Sequence, residues 1–183
     1  TAEYSVGQVL AIRQTCALIA VLPYIHWVTG WPALRVVNRA GVALRSLFFI
    51  GTTWLIVSSF AVLPLPLVTA IAFSSPIFIV ALSTLVLGER VGPRRWLAVM
   101  AGFTGVLVIV RPGGSAFEPV LILPVLAALS SGFRDLVTRR LARTDTSIAI
   151  LFWSMLAVAV ASAFAASADW KPVTTGAALA MMG

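Results

Sequence analysis

Residues 46–88 read SLFFIGTTWLIVSSFAVLPLPLVTAIAFSSPIFIVALSTLVLG, a run without one charged side chain. One membrane helix needs about 20 apolar residues, so the run is too long for one crossing and suits two. Leu63-Pro64-Leu65-Pro66 lies near its middle. Two prolines that close together remove backbone donors and force a turn. The stretch therefore predicts a helical hairpin, residues 46–62 going one way and 66–88 returning.

Composition agrees. Of 183 residues, 60% are apolar and 10% charged, and the mean hydropathy is +1.03. A soluble domain carries about 25% charged residues. The apolar runs are continuous, whereas a membrane β-barrel would show segments of about ten residues with alternating polarity. The fold class is all-α, a polytopic transmembrane helix bundle. The net charge of +7 could suit nucleic acid, but the basic residues fall in short clusters between apolar runs, so no nucleic-acid partner is expected. Cys16 is the single cysteine and has no partner for an internal disulfide; it reads as a small packed residue.

Working outward, the preceding span covers residues 4–27, with Arg13 and Gln14 inside it and Tyr4, Tyr24, Trp27 and Trp31 near its ends. A loop with Arg35, Arg39 and Arg45 leads into the hairpin. After it, Gly88 suits a helix end and Pro93 the first turn of the next helix, residues 93–110. That span places Ala98, Ala101, Gly102 and Gly105 on one face, where a neighbouring helix can approach closely. Arg111-Pro112-Gly113-Gly114-Ser115 is a turn and the best internal boundary. A fifth span covers about residues 119–137 and a sixth 146–168; an apolar run at 173–182 begins a seventh. The chain starts at Thr1 and stops inside that run, which suggests a piece of a longer protein.

Charge orients the spans. Ten of the 13 basic residues fall in the loops after the first, third and fifth spans, against Arg111 and Lys171 on the other side. The arginine-rich side is therefore cytoplasmic.

Three pieces of this sequence, in this order, resemble the EamA branch of the drug/metabolite transporter superfamily. They are Ala70-Ile71-Ala72-Phe73-Ser74-Ser75-Pro76, Leu87-Gly88-Glu89-Arg90 and Gly102-Phe103-Thr104-Gly105-Val106-Leu107-Val108-Ile109. Arg13 matches an arginine common in the second helix of that family. The resemblance covers essentially the whole chain. It implies ten helices built as an inverted repeat of two five-helix units, here truncated. The first repeat would occupy residues 1–114 without its first helix, and the second 115–183 with its first two helices and the start of a third. It also implies transport. Members include exporters of amino acids or drugs and importers of riboflavin, S-adenosylmethionine or nucleotide sugars, and nothing in these motifs selects one cargo.

The residues that could carry a mechanism are polar groups in apolar spans. An arginine inside a span costs about 2.5–3.5 kcal/mol to insert, so Arg13 should face the bundle interior or a water-filled cavity. It would meet an anionic cargo group or a gating partner, or else snorkel to the interface. Gln14 lies about 100° further round the helix and serves the same cavity or an interhelical hydrogen bond. At Ser74-Ser75-Pro76, the proline gives no N–H to the Ala72 carbonyl. That makes either a transporter-type break near mid-membrane or a packing kink. Thr52, Thr53 and Trp54 sit away from both ends of their span; Trp54 would stack on a planar cargo or simply pack. Glu89, Arg90, Arg94 and Arg95 read as an architectural cluster or a cytoplasmic gate, with Gly102 and Gly105 structural beside them. His26 reads as a wetted interfacial histidine, or else a proton carrier. Arg134 and Asp135 read as a loop ion pair, or else Arg134 faces the cavity.

No acidic residue lies at mid-span, and the sequence contains no metal-ligand cluster, phosphate loop or Ser/His/Asp set. No enzyme, cofactor or metal is expected. The function expected is an inner-membrane secondary transporter of a small polar metabolite working by alternating access. The alternative is a non-transporting membrane domain of a sensor or assembly protein. The partners are the lipid bilayer and a small-molecule substrate, with a homodimer left open.

The threading has a direct test. In a Cys16→Ser background, a membrane-impermeant thiol reagent applied outside should label Gly113→Cys and not Gly92→Cys. Labelling of both from outside would show that the spans are wrongly counted.

Overall fold

The computed structural model describes residues 6–88, 92–110 and 119–167, every regular element of which is helical. Among the described residues, five stretches are long and apolar enough to cross a membrane: Val6–Thr29, Arg39–Val62, Leu65–Val86, Pro119–Leu141 and Ser147–Ala166. The protein is therefore a multi-pass integral membrane protein. The fourth expected span forms helix α5, Pro93–Val110, with Arg94 and Arg95 in its first turn. Glu89 and Arg90, the Arg111–Ser115 turn and the run at 173–182 lie outside the described residues.

The chain forms two compact units, and each takes residues from both sides of positions 111–115. The first comprises residues 1–50 and 138–183. Its α1, Val6–Tyr24, packs along α7, Ser147–Ala166. The α1 stripe is Gly7, Gln8, Leu10, Ala11 and Gln14; the α7 stripe includes Ala149, Ile150, Ser154, Val158 and Ser162. Glycine permits the seam, since a Cβ on Gly7 would stand 3.2 Å from both the Ala165 Cβ and the Ala166 backbone nitrogen. With lipid on one side and no hydrophobic drive between helices, such close approach is the main source of cohesion.

Beyond Pro23, α1 loosens into a π-helical turn, Ile25–Thr29. Gly30, at φ 77°, then reverses the chain into a short 3-10 turn, Trp31–Leu34. Helix α2 follows as Arg39–Val62. This corrects the expected loop and the expected start at Ser46: Arg39 opens the helix and Arg45 lies within it. The physical reason is a cap. The Asn38 Oδ1 accepts the Gly41 N–H at 2.9 Å, the N-cap to N3 bond that starts a helix. The end of the charge-free run was therefore not the end of the helix.

The second unit comprises residues 51–137. The proline turn ends α2 at Val62, as the hairpin reading expects. The returning span is two helices, α3 (Leu65–Ala72) and α4 (Ser75–Leu87), with Phe73 and Ser74 between them. Gly88 ends α4 at φ 64°, a left-handed cap that glycine adopts without strain. Helix α5 packs on α3 and α4 with Val99 buried, while a Cβ added at Gly102 or Gly105 would meet nothing within 4 Å among the described residues. Helix α6, Ile122–Leu141, follows a 3-10 turn at Pro119–Leu121. Its Gly132 lets it lie against α4, where an added Cβ would stand 3.1 Å from the Phe78 Cβ. Arg134 and Asp135 form their ion pair at 2.9 Å on this helix and not in a loop, because α6 runs on to Leu141.

The loops that enter α2 and α7 are tied together within the first unit. Asp145 accepts the Val37 N–H at 2.6 Å and the Asn38 N–H at 3.3 Å, and the Thr144 hydroxyl at 2.7 Å. Thr146 caps α7 by accepting the Ala149 N–H and donates to the Ala33 carbonyl at 2.6 Å. The indole N–H of Trp153 donates to the Leu34 carbonyl at 3.0 Å. The Thr144 hydroxyl, then the Val37 and Asn38 amides, hold the Asp145 carboxyl below its ordinary value of 3.8 against the opposing effect of burial. A lowered folded pKa means that Asp145 contributes stability above 3.8, lost as pH falls through the folded value. Accordingly, Asp145→Ala should lower the melting temperature at neutral pH, and the gap from wild type should close as the pH is taken below 3.8. Thermal unfolding across that range in nanodiscs measures both.

Candidate functional site

Two polar sets lie within the membrane-spanning helices, one in each unit. In the first unit, Arg45 lies in the second turn of α2, about 9 Å along the helix from Arg39. It is 7% exposed. Its Nε donates to the Thr138 hydroxyl at 2.7 Å. Its Nη1 donates to the Ser154 hydroxyl and to the Ile150 carbonyl. Ser46 donates to the Val42 carbonyl at 2.8 Å and lies 3.2 Å from the Ser154 oxygen. The Arg45 guanidinium also lies 5.8 Å from the Phe49 ring centroid, one helical turn on, within range of a cation–π attraction. One side chain thus joins α2, the end of α6 and α7. Its planar fork reaches several acceptors at once, which a lysine ammonium cannot reproduce.

Arg45 was not among the residues singled out from sequence, because the charge-free run began one residue later. The signal was present: Asn38 followed three residues on by Gly41, and an Arg45–Phe49 spacing of one turn. Ser154 alone in an apolar span carried no such signal; only the seam with α1 and α2 gives it meaning.

In the second unit, the broken span holds Ser74 at its turn, 6% exposed, with its hydroxyl donating to the Ile71 carbonyl at 2.6 Å. The Phe73 N–H donates to the Thr69 carbonyl, and the Ser74 N–H to that of Ile71. Ser75 starts α4, half-buried, and Pro76 in its first turn is exposed. Phe73 is 79% exposed, so the break turns a ring out and a hydroxyl in. Thr52, Thr53 and Trp54 are half-buried on α2.

The remaining expected residues are placed as follows. Gln14 is buried in the α1–α7 seam, whereas Arg13 is exposed, off the stripe that faces α7. Arg13 and Gln14 belong to the first unit; Thr53, Trp54, Ser74, Ser75 and Pro76 belong to the second. Arg94 and Arg95 are exposed at the start of α5. His26 is exposed in the π-helical turn, its ring 6.5 Å from that of Trp27 and 6.3 Å from that of Trp31. Among the described residues, no group of His, Cys, Asp and Glu is arranged to hold a metal ion.

The sequence is similar to those of known proteins. The EamA-like transporter family matches residues 1–111. A riboflavin transporter of Rhizobium johnstonii is 37% identical over 125 residues, 68% of this chain and 41% of that protein. An S-adenosylmethionine uptake transporter of Rickettsia bellii is 33% identical over 158 residues, 85% of this chain and 53% of its own length. A riboflavin transporter of Vibrio cholerae is 29% identical over 167 residues, 89% of this chain and 55% of that protein. The chain thus spans about half the length of these relatives. No solved structure matches it.

The Arg45 hub makes a stability prediction. A hydrogen bond to a charged group contributes about 1.5–3 kcal/mol, so Arg45→Ala should destabilise the protein by at least that much. Arg45→Lys should recover only part of the loss. Melting temperatures of the two variants in the same detergent test the difference.

Proposed function

Because this chain belongs to the EamA-like transporter family, we propose that it is part of an inner-membrane secondary transporter that takes up a small polar metabolite by alternating access. The observation that carries the reading is the interruption of the Leu65–Val86 span at Phe73 and Ser74. Irregular backbone at membrane depth is tolerated where it is buried in protein or lines a water-filled cavity. Discontinuous helices near the midplane are where carriers bind cargo. Ser74 and Ser75 supply hydroxyls there, Pro76 withholds a donor from the Ala72 carbonyl, and Thr53 and Trp54 offer a polar group and a ring on α2. Arg13 and Gln14 on α1 form a second set, in which the exposed guanidinium suits an anionic group of the cargo. Arg94 and Arg95, with Glu89, Arg90, Gly102 and Gly105, are assigned to architecture or to a cytoplasmic gate. The repeats of the proposal are residues 1–114 and 115–183.

The relatives named for riboflavin and for S-adenosylmethionine suggest the cargo class: a polar metabolite bearing a fused heteroaromatic ring. Trp54 is a suitable stacking partner for such a ring.

Full-length protein in proteoliposomes should show saturable uptake of labelled riboflavin or S-adenosylmethionine. Arg13→Ala should lower it about tenfold or more, the loss expected when one charge-assisted hydrogen bond is removed. Unchanged uptake in Arg13→Ala would remove that residue from the mechanism. No saturable uptake across a panel of heteroaromatic metabolites would overturn the cargo class.

A further inference from the structure

One face of α2 is left open within the first unit. Arg39, Val42, Ala43, Ser46, Leu47 and Ile50 follow one another at helical spacing and floor a groove of about 990 Å³. The stripe is about 16 Å long. Trp31 and Trp153 are further parts of its lining, and Arg35 joins Arg39 there. Both arginines are exposed. The Trp153 indole is bonded to the Leu34 carbonyl, which fixes its ring in the lining. Beyond Arg39, the one polar group on the stripe is the Ser46 hydroxyl, and it donates back to the Val42 carbonyl. The groove thus has two cations at the helix start and an apolar floor beyond them.

We propose that this groove binds an anionic phospholipid of the cytoplasmic leaflet, with the phosphate on Arg35 and Arg39 and one acyl chain along Val42, Leu47 and Ile50. The charge pattern selects this occupant. The arginine-rich ends face the cytoplasm, where anionic lipids attract basic residues and basic pockets between transmembrane helices hold their headgroups. Indole rings at the boundary favour the headgroup level. A polar cargo would lose its hydration along the apolar floor without a partner to replace it. The amides just before α2 do not serve as the anion site, because Asp145 already accepts those of Val37 and Asn38. That carboxylate opposes an approaching phosphate, so the two guanidinium groups must supply the attraction. The inference rests on membrane threading and not on the transport reading.

The test uses the full-length protein in nanodiscs, with Trp153 fluorescence taken as the signal that Trp153→Phe removes. The probes are brominated-chain phosphatidylglycerol and brominated-chain phosphatidylcholine at equal mole fraction. Stronger quenching by the phosphatidylglycerol is expected. The preference should be lost in Arg35→Gln/Arg39→Gln and retained in Arg35→Lys/Arg39→Lys. Ala43→Phe, which fills the floor without touching charge or adding an indole, should reduce quenching of Trp153 by both lipids. Equal quenching of the wild type by the two lipids would overturn the proposal, leaving ordinary lipid contact. No quenching by either would overturn it in favour of a covering segment or a second copy of the chain. The wild-type comparison decides between these outcomes even if the double glutamine variant fails to fold.

Discussion

A backbone amide without a partner in hydrocarbon costs several kcal/mol, and this penalty governs the molecule. It explains why the described spans are helical and why their irregular points are so few. At each irregular point the backbone finds a partner nearby. Leu63, at the proline turn, donates to the Ser59 carbonyl, and Leu67 and Val68 both donate to that of Pro64. At the α3–α4 break, Ser74 and Phe73 donate back into α3, and Ile77 donates to the Ser74 carbonyl. Prolines occupy the first turns of α3 and α4, where a missing N–H leaves no acceptor stranded in the same helix.

The same penalty disciplines the side chains. Most hydroxyls in the spans bond to a carbonyl of their own helix: Ser59 to Leu55, Thr69 to Leu65, Thr84 to Val80, Thr104 to Met100, Ser162 to Val158. Such bonds satisfy a polar group without a neighbour, so a serine in a span is not by itself a mark of function. Ser154 and Thr138 differ because both accept from Arg45, a residue of another helix. Ser74 differs because its bond stabilises a break and not a regular turn. These distinctions separate the polar groups that organise the bundle from those that merely tolerate lipid.

The described arginines divide by what they meet. Arg35, Arg39, Arg94, Arg95 and Arg143, at helix starts and in loops, are exposed, and so is Arg13 within α1. Arg45, about one and two-thirds turns into α2, is buried and becomes a structural tie. Asp145, outside the membrane, receives amides that precede α2 and so joins two connections distant in sequence.

Amphipathic logic had little to work with here, since apolar helices in lipid show no strong polar face. What the amino-acid order determined was the hairpin, the positions of the prolines, the glycine cap at Gly88 and the kinship motifs. The structural ones depend on local chemistry: apolar length, missing N–H groups and permitted φ. Tertiary packing decided the rest. It turned Gln14 rather than Arg13 into the seam. It drew Arg45 out of an apparent loop and onto Ser154 and Thr138, residues about a hundred positions away. It closed Asp145 onto Val37 and Asn38. Those pairings depend on which helix lies beside which, and in a bilayer that choice follows close fit and hydrogen bonds between helices rather than hydropathy.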